Sequence, residues 1–268
     1  MTWVDVAVRA RGMASHAAAG DELAILARWA GDRARALAVV LDDEDRAAVR
    51  ALVRGVVAGA PVEDRLAAAG PTPALPADVL RTLARAPTAA ALAQELTRLE
   101  HWAAPALTLA AAASPDLFGF EQDLARTFAA RARAAARHEP ALARHVAQVI
   151  DAENAGAAWL LAARGRDLDP ETCFVEGGAR VTRAVFAAAS GGATTELARA
   201  LGGTPLARAL ETGGIEDAAL TWHLDTQTRL RRLEPIGLAP VLLLVLSRRR
   251  DRRIARRSQW RAILGGRP

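Results

Sequence analysis

Val149-Ile150-Asp151-Ala152-Glu153-Asn154, followed further on by Cys173-Phe174-Val175-Glu176-Gly177-Gly178, is the stretch on which the reading of this fold turns. Asp151 and Asn154 stand three residues apart and therefore share one face of a helix. An Asn inside a helix costs a few tenths of a kcal/mol relative to Ala, so its amide is expected to bond something, with the backbone of a neighbouring loop as the first choice. Two readings stay open: a buried polar clamp that pins a loop, which is favoured, and a ligand site.

Around this stretch the chain is plain. Half of its 268 residues are hydrophobic but only 4% are aromatic, Tyr is absent, and the apolar content is mostly Ala and Leu. Both are strong helix formers that pack closely spaced helices. No period-two run of β-branched residues occurs, so the expected fold class is all-α.

All 35 basic residues are Arg. Without Lys there is no usual phosphate-binding loop, no Schiff base and no Lys-dependent kinase site. A lone cysteine, Cys173, excludes an intramolecular disulfide and suits a reducing compartment. The N-terminal residues lack the pattern of a signal peptide, and the apolar run from Pro235 to Leu246 is short of the roughly 20 residues of a membrane span. The net charge of +5 is concentrated in Arg248 to Arg261, where eight Arg face only Asp251. Nucleic acid, acidic protein surface and anionic headgroups are all candidate partners of such a patch.

Helix signals follow one another. A first helix is expected over 2–19, with Gly20 ending it and Asp21 and Asp32 capping the next two. The acids Asp42 to Asp45 suit a helix N-terminus, where free N–H groups favour negative charge. Pro71 to Pro76 reads as a connector, with Pro76 opening the next helix. Helices are expected at 77–85, 88–112, 116–138 and 140–164, the last stopped by Gly165. Gly-Gly pairs at 177, 191, 202 and 213 cut the next region into short helices, before long ones over 215–233 and 236–264. Similar phrases around Leu41, Ile150 and Leu246 suggest a three-fold internal repeat.

Enzymatic signatures are missing. Of His16, His101, His138, His145 and His223, only His138 and His145 could share a helix face, roughly 10 Å apart, too far to ligate one metal ion. Ser190 lacks the Gly-x-Ser-x-Gly elbow. Asp167 and Asp169 flank a turn ending in Pro170 and suit a helix cap.

The segment from Ile150 to Arg183 resembles the middle repeat of the central-stalk component of rotary V-type and A-type ATPases, the C subunit of prokaryotes and the d subunit of eukaryotes. It has the family's Asp-x-x-Asn helix, a Gly-containing turn and a Phe-x-x-Gly-Gly phrase. Glu234 to Leu242 is similar to the entry into the family's last long helix, Val8 to Met13 to its first helix, and Gly203-Thr204-Pro205-Leu206 also has a counterpart.

The resemblance implies a funnel of three pseudo-repeated helical units: 1–112 (shortened), 113–212, and 213–268 packing with the N-terminal helices. It implies a non-catalytic rotor subunit on the cytoplasmic face of the membrane, joining the proteolipid c-ring to the shaft subunits D and F. No cofactor, metal, small-molecule substrate or nucleic acid is implied. Asp151, Asn154, Gly177 and Gly178 then form the structural motif. Arg252, Arg253, Arg256 and Arg257 are the candidate partner-binding residues, with ring loops, stalk subunits or anionic headgroups opposite them. The alternative is an Arg-rich helical nucleic-acid-binding protein, which would explain the basic end and Trp260 but not the Gly-Gly phrase. An all-α enzyme dependent on a cofactor comes last.

Overall fold

The computed structural model describes residues 3–14, 22–112, 117–164 and 169–265, and among them every regular element is helical. In chain order these are α1 (Trp3–Ala14), α2 (Glu22–Arg28), a 3-10 turn (Gly31–Arg33), α3 (Ala34–Val57), α4 (Val62–Ala69), α5 (Ala77–Ala84), α6 (Ala89–Arg98) and α7 (Ala104–Ala112). Then follow α8 (Leu117–Ala136), α9 (Pro140–Arg164), α10 (Pro170–Cys173), α11 (Arg183–Ser190), α12 (Thr194–Ala200), α13 (Pro205–Thr212), α14 (Ile215–Leu233) and α15 (Ala239–Gly265). None of them is long and apolar enough to cross a membrane.

The chain divides into two compact units, one made of 1–121 and 234–268, the other of 122–233. In the first unit α3 packs on α4, α6 on α7, and the last helix α15 lies along the first, α1. Its core is aliphatic, with Leu26, Leu37, Leu52, Leu80, Leu83, Leu92 and Leu96 fully buried. In the second unit α9 is the hub, touched by α10 through α14. Val146, Val149, Ile150, Ala155, Ala158 and Leu161 are all buried along it, so apolar contact surrounds nearly its whole circumference. Small residues allow this, since Ala155, Gly156 and Ala158 let the neighbouring helices approach closely.

Several sequence expectations need correcting. The acids Asp42 to Asp45 do not start a helix, because α3 begins at Ala34 and carries them in its middle. Asp43, Glu44 and Asp45 are buried there, held by side-chain partners described below and not by a helix dipole. The stretch 88–112 is two helices: Glu100 adopts φ +52°, and Pro105 enters the first turn of α7, where a continuous helix would have needed its N–H. Asp32 lies inside the 3-10 turn, Pro76 precedes α5 by one residue, and the last helix starts at Ala239, after a turn over 234–238. Helices α5, α8, α9 and α14 fall where the sequence placed them. The expected signals at Gly20, Asp21, Gly165 and Asp167, and His16 with them, lie outside the described residues.

Candidate functional site

In the second unit Asp151 and Asn154 project from the middle of α9 onto the segment 175–181. Asn154 Nδ2 donates to the carbonyl of Val175 at 2.8 Å, and Val175 N–H donates back to Asn154 Oδ1 at 2.9 Å. Both groups of one backbone residue are thus satisfied by one amide, as in a strand pair. Among the described residues Asp151 accepts only from backbone: Oδ1 from Arg180 N at 3.0 Å and Val181 N at 2.9 Å, Oδ2 from Ala179 N and Arg180 N at 3.1 Å each. Asp151 is 1% exposed and Asn154 fully buried. A carboxylate facing several N–H donors replaces its lost hydration with charge-assisted bonds.

Glycine makes the approach possible. A Cβ on Gly178 would fall against Asp151 Oδ1, and Gly177 adopts φ +113°, with Arg133 and the Ile150 side chain where its Cβ would be. The loop is tied down on its other sides too. Arg180 Nη1 donates to the carbonyls of Ala200 and Gly202, at 3.3 and 3.2 Å, and Arg133 Nη1 donates to the carbonyl of Glu176 at 3.3 Å. Arg183 binds Glu176 at 2.5 Å and Glu171 at 3.3 Å, and the hydrogen bond to Glu176 raises its already high pKa. Phe174 packs on Phe186 with ring centroids 5.4 Å apart, and Asp169 caps α10 through Glu171 N–H.

The first unit carries a second polar constellation, on α3. Asp45 Oδ1 accepts from Thr72 Oγ1, while Thr72 Oγ1 accepts from Leu75 N–H at 3.0 Å, so a buried acid holds the proline-rich connector. His101 lies at its other side, with Nε2 3.6 Å from Asp45 Oδ2. Its Nδ1 accepts from Ala103 N–H, which leaves the ring proton on the nitrogen facing Asp45.

Just before Asp45 on α3, Asp43 and Glu44 receive the last helix. Asp43 Oδ1 accepts from Arg46 Nη2 at 2.7 Å, and Asp43 Oδ2 and Glu44 Oε1 both accept from Arg249, each through a bond of 2.7 Å. Glu44 Oε2 is bound by Arg252. Burial alone would lower the Arg249 pKa, yet the charges of Asp43 and Glu44 and their hydrogen bonds raise it above its ordinary value. Both acids are 2% exposed, so the pairs work at low effective dielectric.

The four arginines singled out in the sequence therefore differ in setting. Arg252 is turned inward onto Glu44, Arg253 is half-buried, and Arg256 and Arg257 are exposed. Sequence reasoning also missed a pair: His145 on α9 and His223 on α14 are buried with ring centroids 5.6 Å apart, beside Gln148, which donates to Thr226 Oγ1. No short-range spacing signals a meeting of residues so far apart in the chain. Among the described residues no group of three or more His, Cys, Asp or Glu is placed to hold a metal ion.

These features define a class of protein: an all-helical scaffold in which charged and amide groups fasten helices to loops and to one another. The chain belongs to the ATP synthase (C/AC39) subunit family, whose model matches residues 16–254, and it is thus a C/d-type component of a V/A-type rotary ATPase. No curated protein matches the chain significantly.

Proposed function

We propose that this chain is the non-catalytic central-stalk component of its rotary ATPase, a socket that joins the membrane proteolipid ring to the shaft subunits D and F. In this role it sits on the cytoplasmic face of the membrane and passes rotation between ring and shaft, in ion transport coupled to ATP synthesis or hydrolysis. The observation that carries the reading, beside family membership, is the fastening of loops to helices: Asp151 and Asn154 fix 175–181 at both ends. A part that transmits torque has to resist shear between its elements, and densely packed helices with doubly bonded connections resist it.

Tagged protein isolated in mild detergent is expected to bring down the proteolipid and the shaft subunits. Recovery of neither refutes the role. Binding to duplex DNA at about 50 mM salt with a steep salt dependence would favour the nucleic-acid alternative instead.

A further inference from the structure

The last helix changes character along its length. Up to Arg252 it packs into the first unit: Val241, Leu242, Leu244, Val245 and Leu246 are buried, and Arg249 and Arg252 engage the carboxylates of α3. From Ile254 to Ser258 every residue is exposed, more than a full helical turn. The helix nevertheless continues to Gly265. Arg256 lies seven residues beyond Arg249 and four beyond Arg252, on the same face of the helix. The face that meets Asp43 and Glu44 therefore continues into the exposed stretch 254–258.

We propose that this projecting part of α15, centred on Arg256, is a docking arm for an acidic protein segment in the assembly, one presenting adjacent carboxylates as α3 does. The inference rests on the reading of the chain as a rotary-ATPase component. Charge complementarity sets the sign of the partner, since Asp251 is the only acid among the eight Arg of 248–261. Continuity with the Arg249 and Arg252 contacts sets its kind, because planar guanidinium forks on this face already take paired carboxylates.

The test uses the full chain in its detergent-solubilised complex. Arg256→Glu should lower retention of the complex about tenfold in a salt-dependent way while leaving the thermal melt unchanged. A photoreactive benzoylphenylalanine at position 259, three residues from Arg256, should crosslink to a peptide rich in Asp and Glu. Crosslinking to lipid, crosslinking to nothing, or unchanged retention of the R256E complex overturns the docking arm. Failure of the unsubstituted chain to bring down proteolipid or shaft subunits overturns instead the rotary reading on which it rests.

Discussion

Replacing Asp151 by Asn preserves shape and removes charge, and the geometry leaves the amide no good orientation. Each carboxylate oxygen faces two backbone donors: Arg180 and Val181 N–H at Oδ1, Ala179 and Arg180 N–H at Oδ2. Whichever way the new amide turns, its NH2 group points at N–H groups. At least one hydrogen bond to a charged acceptor is lost, about 1.5–3 kcal/mol, and a donor is left opposing a donor, so about 3 kcal/mol in all is expected. For a unit the size of 122–233 this corresponds to a fall in melting temperature of about 10 °C. Circular dichroism melting measures it, and hydrogen exchange localises it, with amides 179–181 losing protection first. A D151N variant that melts within about 1 °C of the parent, with those amides still protected, would refute the account of this loop.

Asn154→Ala strips both partners from the buried Val175 backbone and should destabilise by about 2–4 kcal/mol, read by urea unfolding. Gly178→Ala, whose Cβ meets the Asp151 carboxylate, should be at least as damaging as D151N by the same measurement. Glu44→Gln leaves Arg249 and Arg252 short of a charge in a buried site, at a cost of about 3–5 kcal/mol, and the loss should persist at high salt because the site is shielded from counter-ions. The raised Arg249 pKa implies stability that is fully present below its unfolded value and lost only as pH rises through the still higher folded one. No step in melting temperature from this group is therefore expected between about pH 7 and 10.

Local signals served the sequence reading well wherever local physics decides. Pro140 opens α9, the Gly-Gly pairs separate α11, α12 and α13, and Ala- and Leu-rich composition gives helices throughout the described residues. The spacing of Asp151 and Asn154 placed both on one face, and the structure shows what that face meets. The acids of α3 were misread because an acidic run is usually a helix start. What overrides that rule is Arg249 and Arg252, about two hundred residues away, which no window along the chain can see. The inward turn of Arg252 and the pairing of His145 with His223 were hidden for the same reason: both depend on which helices become neighbours.

The first unit is discontinuous in sequence, and its closure has a consequence for how the protein is made. Residues 122–233 form a continuous insertion that can fold while synthesis proceeds. Asp43 and Glu44 emerge early, but the arginines that neutralise them follow 205 to 208 residues later. Until α15 leaves the ribosome, the first unit holds carboxylates it cannot bury, and it stays open. A chain cut short before Arg249 would keep that charge defect permanently, which marks truncated products for the proteases that survey unfolded chains.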